Sequence, residues 1–323
     1  TLSDSSSTIA NFNNEIGLPL SIFNSSPKSK YLVYEIGASK FNDINYLSDI
    51  LKPDIGVITN IGLSHLESLK NTQGVLKVKS EIINNIKKNG FLIIPDDDKD
   101  HLQHWKNIRS DIKLLTFGLK ESADFHPLEP SLKTNGLYFL VKSIYLEKII
   151  KINSKLEGNH NILNILASCA VHYCLSQDIN EFAKKIKSLI FKNSRLTKIK
   201  WIKNSILIDD TYNANPDSAR KSIDLLSNHD NKTYLILGDM LELGNHQEKY
   251  HKEIGQYAKL KGVDVFLGFG NLAKHAVDGF GNNGIFFDTE DELKNYLKQN
   301  ISKKDVILIK GSRGMKMERF INV

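Results

Sequence analysis

In the second half of the chain, apolar runs of four or five residues alternate with longer stretches whose apolar positions recur every three or four residues. The runs Ser205–Ile208, Thr233–Leu237, Val263–Leu267, Gly284–Phe287 and Val306–Ile309 predict buried strands. The stretches 216–227, 246–260, 271–277 and 289–299 predict the amphipathic helices between them. Strand and helix in strict alternation point to an open parallel sheet with helices on both faces, a Rossmann-like doubly wound domain.

The first half is less regular. Tyr31–Ile36 predicts a buried strand with one acid, Glu35, near its end. A helix over Asp43–Leu51 follows, stopped by Pro53. Ile55–Thr59 and Phe91–Ile94 predict strands on either side of an amphipathic helix over Gln73–Lys88. Leu114–Phe117, Leu137–Val141 and Tyr145–Ile152 predict shorter strands in an antiparallel patch. A helix opening at Gly158 and running to about Leu175, then one over Asn180–Ile190, lead to Phe191–Arg195, where the domain boundary is expected. The expected fold class is therefore α/β. A domain over 1–194, with a parallel sheet, helices and a small antiparallel patch, precedes a Rossmann-like domain over 195–323.

Composition narrows the function classes. The net charge is +6, but the lysines are scattered and form no block of like charge. That suits small anionic ligands and gives no reason to expect nucleic acid. No apolar run approaches the ~20 residues that span a bilayer, and Thr1–Ala10 lacks the apolar core of a signal peptide. Membrane insertion is not expected. With Cys169 and Cys174 as the only cysteines, at no metal-site spacing, a reducing cytoplasm is the expected location.

The candidate chemistry collects where strands end. Asp209 and Asp210 close the first strand of the second half, and Tyr212, Asn213 and Asn215 follow before Pro216 opens a helix. Asn215 as N-cap with Pro216 at the first helical position explains part of this loop. It leaves the two acids and the Tyr-Asn pair to a ligand. Adjacent residues at a strand end point in opposite directions, so which acid serves a ligand stays open. The polar loops Gly238–Gly244 and Lys310–Gly314 also follow strands, and three such loops should share one edge of the sheet. No G-x-G-x-x-G follows the first of those strands, which argues against a nicotinamide dehydrogenase.

In the first half, Glu35 is expected near the C-terminal end of a strand and His65 just past the end of another, at one sheet edge. Lys77 has polar neighbours three and four residues away, whereas Lys79 has Val75, Leu76, Ile82 and Ile83 and so lies on the apolar face of its helix. Asn161 and Asn164 share one face near a helix start, where side-chain amides suit the edge of a base.

These motifs, in this order, resemble the Mur ligase family of ATP-dependent amide-forming enzymes over essentially the whole chain. The residues that carry the resemblance are Asn11–Leu20, Asn60–Leu66 with Lys79-Ser80-Glu81, Asp209–Ser218, Gly238–Gly244 and Lys310–Arg313. The second-half loops 212–218 and 238–244 favour the members that add D-alanyl-D-alanine. The resemblance implies a UDP-sugar domain, a central ATPase domain and a C-terminal Rossmann-like domain, of which this sequence would hold an incomplete second and the third. No G-x-x-x-x-G-K-[ST] segment occurs, and no glycine is followed directly by lysine. The expectation is an N-terminally truncated fragment that does not turn over ATP.

The implied reaction activates the carboxylate of a UDP-N-acetylmuramoyl tripeptide as an acyl phosphate and joins it to D-Ala-D-Ala in peptidoglycan synthesis, with ATP and Mg²⁺. By resemblance Glu35 and His65 help hold Mg²⁺, and Lys79 matches a lysine that is carbamylated. Asn161 and Asn164 match the adenine side. Arg195, one of Asp209 and Asp210, and Tyr212 would reach the nucleotide. Asn11, Asn14, Asn213, Asn215, Lys310, Ser312 and Arg313 are the substrate-side candidates. Two alternatives remain: a family member with another amine acceptor, and a P-loop-less binding or scaffold protein.

Overall fold

The computed structural model describes residues 1–63, 65–106, 109–133, 136–189 and 196–323, and for 129–133 the backbone alone. It divides into two compact units, Thr1–Gly62 with Asn71–Ile190, and Leu63–Lys70 with Phe191–Val323. The expected boundary at 194/195 falls outside the described residues.

The first unit contains a six-stranded sheet in the order β3 (Ile55–Val57), β4 (Phe91–Pro95), β5 (Lys113–Phe117), β6 (Phe125–Lys133), β7 (Gly136–Ser143) and β8 (Ile150–Ser154). The pairs from β3 to β6 are parallel, and β6 to β8 are antiparallel. Helix Asn159–Cys174 lays Ile162, Ile165, Leu166 and Cys169 into a core shared with Phe117, Phe125, Phe139 and Ile152. The opposite face is covered around Ile58, Leu76, Ile83, Ile94 and Trp105. Burial pushes the Cys169 and Cys174 thiols up to about 12, so both stay protonated and unreactive.

Three expectations need correction here. The strand beginning at Tyr31 ends at Val33 and is not buried: Leu32 is 56% and Val33 50% exposed. It is β2 (Tyr31–Val33) and pairs only with β1 (Ser5–Ser7) in a separate two-stranded sheet. Glu35 thus follows a strand of that small sheet, and His65 follows β3 of the large one; they do not share a sheet edge. A strand is buried only when layers cover its faces, and none does so here among the described residues. The helix expected over 73–88 is α-helical only at Thr72–Ser80 and tightens to a 3₁₀ turn over Glu81–Asn85. The Ile83 and Ile86 carbonyls there accept from the Arg109 guanidinium at 2.9 and 2.7 Å, satisfying helix-end acceptors from outside the helix. Finally, the asparagines at 11, 13 and 14 favour turns over regular structure, but Asn11–Leu20 is not all loop. A helix runs over Gly17–Phe23, opened by Asn14 Oδ1, which accepts from Gly17 N at 2.8 Å.

The second unit holds a sheet in the order β13 (Gly284–Phe287), β12 (Val265–Phe269), β11 (Thr233–Gly238), β14 (Val306–Lys310), β10 (Ile206–Asp210) and β9 (Thr197–Lys200). All its pairs are parallel except β9 on β10. One face packs on helices Pro216–Leu226, Gln247–Leu260 and Ala273–Phe280, and the other on Glu290–Asn300 and the C-terminal turns around Met317 and Phe320. Two glycines set the approach of the helices over 247–260 and 273–280. A Cβ at Gly255 would lie 1.8 Å from the Ala276 carbonyl oxygen, and one at Gly279 would lie 2.2 Å from that of Lys252.

Because β14 lies between β10 and β11, the loops after these three strands are neighbours on one edge. That is the switch point where open α/β sheets bind ligands.

Candidate functional site

The acids at the end of β10 point apart, as alternation along a strand requires. Asp210 turns toward β14, where Lys310 Nζ donates to its Oδ2 at 2.5 Å and Ser222 Oγ at 2.6 Å. Both partners of this ion pair are nearly sequestered, with side-chain exposures of 3% for Lys310 and 10% for Asp210. Lys310 also donates to the Asn213 carbonyl at 2.9 Å, so the loop after β10 is tied to the end of β14. Asp209 instead holds Thr211 through its amide (3.1 Å) and hydroxyl (2.7 Å), both on Oδ1. Its other oxygen carries no bond among the described residues.

The rest of the loop is internally braced. Asn213 Oδ1 accepts from Ala214 N at 2.8 Å and Arg313 N at 3.3 Å. Asn215 forms a reciprocal capping box with Ser218 and opens the helix at Pro216, as its sequence predicts. Ser312 Oγ donates to the Ala214 carbonyl at 3.2 Å and accepts from Leu241 N at 2.8 Å, and Ser312 N donates to the Asp239 carbonyl at 3.0 Å. Asp239 Oδ1 in turn accepts from Leu272 N and Ala273 N, anchoring the start of the next helix. Arg313 extends from this framework, 59% exposed, with Glu318 Oε1 at 3.0 Å. Tyr212 is half-buried between Thr211 and Asn213. The edge therefore presents Asp209, which stands outside the Lys310 ion pair, and the exposed Arg313 guanidinium over a rigid base.

The same unit includes Leu63–Lys70. Leu63 N donates to Asp217 Oδ2 at 2.8 Å, Glu67 N to the Glu242 carbonyl at 3.1 Å, and His65 Nδ1 lies 2.6 Å from Glu242 Oε2. A cleft of about 380 Å³ opens between Leu66–Lys70 and Leu243–Gln247. It shares no lining residue with the Asp210–Lys310 cluster, so cleft size does not locate the polar chemistry.

In the first unit, Lys79 is half-buried and Lys77 exposed, in keeping with their places on the helix. Burial pulls the Lys79 ammonium down to about 8. Its Nζ donates to the Asn60 carbonyl (2.7 Å) and Asn60 Oδ1 (3.0 Å), and among the described residues no carboxylate pairs with it. Glu35 is exposed and accepts from Asn13 Nδ2 at 2.9 Å through Oε1, and its Oε2 carries no bond among the described residues. Asn14 is used in opening the first helix, and Asn11 is exposed. Asn161 is buried and donates to the Glu157 carbonyl at 2.7 Å, which braces the helix entry. Asn164 is exposed and donates to Asn161 Oδ1 at 3.1 Å, leaving its own carbonyl oxygen without a bond among the described residues. Arg195 lies outside the described residues.

Among the described residues no three His, Cys, Asp or Glu side chains form a metal cluster. The donors fit Mg²⁺ in another way. This ion keeps several waters and takes one or two carboxylates plus phosphate oxygens. Glu35 offers a free carboxylate oxygen, and a lysine held near neutrality can become a carbamate.

Sequence reasoning missed Asn60, Asp217, Ser222, Asp239 and Glu242, which hold the candidate groups in place. Asp239 and Glu242 sat in a loop already singled out, but only the strand order shows that it adjoins Ser312.

A family model for the Mur ligase middle domain matches residues 2–172, and one for the Mur ligase, glutamate ligase domain matches 194–313. The UDP-N-acetylmuramoyl-tripeptide--D-alanyl-D-alanine ligase of Buchnera aphidicola subsp. Acyrthosiphon pisum is 35% identical over 98% of this chain and 69% of its own length. The same ligase of Haemophilus influenzae is 34% identical over 97% of this chain and 68% of its own. Among solved structures, MurF from Acinetobacter baumannii superposes with a TM-score of 0.89 at 26% identity, covering 99% of this chain and 70% of that one. MurF from Thermotoga maritima in complex with ADP gives 0.87 at 27% identity, covering 99% and 72%.

Proposed function

The chain belongs to the Mur ligase family, and from that premise we propose that it carries the nucleotide and amine chemistry of a ligase joining D-Ala-D-Ala to a UDP-N-acetylmuramoyl tripeptide. The observation that carries this reading is the rigid edge formed by Asp209–Ser218, Gly238–Gly244 and Lys310–Arg313. It belongs to a chain at least a third identical to ligases named for that transfer.

The incoming dipeptide is a zwitterion. Its carboxylate needs a fixed cation and its amine must arrive neutral at the acyl phosphate. Arg313 is the exposed cation of the edge, and Asn213 holds its backbone. Lys310 is committed to Asp210, so its part is to keep the loop after β10 in one conformation rather than to bind the carboxylate directly. Asp209, which lies outside the Asp210–Lys310 ion pair, is the better of the two acids for a ribose hydroxyl or another donor on the nucleotide. Tyr212 and Arg195 belong to the same nucleotide side. Asn164, with a free amide oxygen, suits the exocyclic amine of adenine, and Asn161 positions it.

Glu35 and a carbamylated Lys79 in the first unit, and His65 in the second, would each offer a donor to Mg²⁺, which would neutralise phosphate charge in the transfer. Lys79 is suited to carbamylation because the neutral amine is the form that attacks CO₂, and burial brings that form within reach near pH 8. Asn60 accepts from the amine now, and its amide could rotate to donate to a carbamate oxygen. The sequence contains no G-x-x-x-x-G-K-[ST] segment, and we expect the chain alone not to turn over ATP.

D-Ala-D-Ala binding to the chain, followed by amide chemical shifts, tests this reading. Shifts concentrated at 212–215 and 310–313, and absent with L-Ala-L-Ala, are expected. Equal response to both dipeptides, or a response confined elsewhere, would count against it.

A further inference from the structure

The loop Gly238–Gly244 contains a carboxylate, Glu242, that holds the segment around His65. Both Glu242 (φ 63°) and His65 (φ 54°) adopt the left-handed backbone region, which disfavours any residue with a Cβ and clusters at functional sites. The two strained residues face each other. His65 Nδ1 lies 2.6 Å from Glu242 Oε2, and two residues on, Glu67 N donates to the Glu242 carbonyl at 3.1 Å. Gly244 (φ 60°) brings the same loop so close that a Cβ there would lie 3.2 Å from Glu67 Cα. On the other side of His65, Leu63 N is held by Asp217 Oδ2 at 2.8 Å. The segment carrying His65 is thus fastened on both sides, and among the described residues its ring meets a carboxylate at one nitrogen only.

With side-chain exposures of 36% and 59%, this pair by distance alone would be a weak surface contact. The backbone bond and the paired strain set it apart. A carboxylate can only accept, so Nδ1 must carry the hydrogen, and in the neutral ring the lone pair then resides on Nε2. We propose that Glu242 is a positioning residue that fixes His65 as the Nδ1–H tautomer and reserves Nε2 for a divalent cation. The cation half of this statement rests on the reading of His65 given above; the tautomer half does not. Carboxylates that hold the second nitrogen of a ligating imidazole act in this way in metal sites generally.

The test is long-range ¹H–¹⁵N correlation of the histidine rings in the full chain, recorded in alkaline solution where imidazole is neutral. His65 is assigned by its loss in His65→Gln. The expected pattern for His65 is Nδ1–H with a bare Nε2, retained in Glu242→Gln, whose amide oxygen still accepts. It should change to Nε2–H in Glu242→Gly. That glycine variant also relieves the positive φ, so it should melt no lower than the parent and separates positioning from folding. His65 found as Nε2–H in the parent, or an unchanged ring in Glu242→Gly, would overturn the proposal. Mn²⁺ added to the parent is expected to broaden the ring signals beside Nε2. If it leaves them sharp while the tautomer stands, the cation reading is lost and Glu242 remains the group that sets the ring.

Discussion

Replacing Lys310 by Met should be among the most damaging single changes in the second unit. The substitution keeps most of the apolar stem and deletes the ammonium. Asp210, 10% exposed, is left with Ser222 as its only side-chain donor among the described residues, and the Asn213 carbonyl loses its bond. Stranding one member of a buried pair costs about 3–5 kcal/mol. The surviving Ser222 bond and the option of protonating Asp210 place the expected cost at the low end, about 3 kcal/mol. At roughly 4 °C per kcal/mol for a unit of this size, melting should fall by about 12 °C. Adding Asp210→Leu removes the stranded charge, so the double variant should be more stable than Lys310→Met alone. Urea midpoints and calorimetric melts of the parent, both single variants and the double variant supply the cycle. A cost below about 1 kcal/mol for Lys310→Met, the range of an exposed pair, would refute the claim that this pair anchors the edge. So would strict additivity of the two changes.

Reductive methylation of the chain with a ¹³C label should reveal one lysine titrating near 8, lost in Lys79→Met. Because burial disfavours its ammonium, the fold is penalised below pH 8 and the penalty disappears as pH rises toward the unfolded value of 10.5. Stability should therefore climb across that window in the parent more than in Lys79→Met, and parallel pH profiles would contradict this. Asn215→Ala should cost about 1 kcal/mol by loss of the helix cap, and Asn215→Gly only a few tenths, in urea melts; equal losses would assign Asn215 a role beyond capping. Gly255→Ala should destabilise by at least about 2 kcal/mol, because its methyl would collide with the Ala276 carbonyl; a melt within 1 °C of the parent would show that the helices can part freely.

Much of this architecture was legible in the residues. The strict strand-helix alternation after Ser205 led to a doubly wound sheet, and Asn215-Pro216 marked a helix start that forms as expected. Loop residues at strand ends were recognisable because the parallel-sheet pattern places all of them on one edge. Which loops would be neighbours was not, since sequence order does not reveal that β14 inserts between β10 and β11. That insertion makes Lys310 the partner of Asp210 and brings Ser312 to Leu241. Lys79 stood out because apolar residues flank it at three and four positions, and its partner Asn60 was hidden 19 residues away. Glu35 was misjudged because a short apolar run looks the same whether or not a second layer covers it. The helix at Gly17 escaped notice because asparagines around it suggested only turns, although Asn14 is what opens it.

The central claim is that this chain holds the amine-selecting and nucleotide-facing parts of a D-Ala-D-Ala-adding ligase. Its most direct test is a fusion in which this chain replaces the segment it matches in the Haemophilus influenzae relative, assayed for amide formation with a panel of amines. The account predicts ADP release in step with incorporation of D-Ala-D-Ala, lost in Lys79→Ala and in Arg313→Ala. A fusion that folds and binds ATP yet ligates another amine in preference, or releases ADP without D-Ala-D-Ala incorporation, would contradict it.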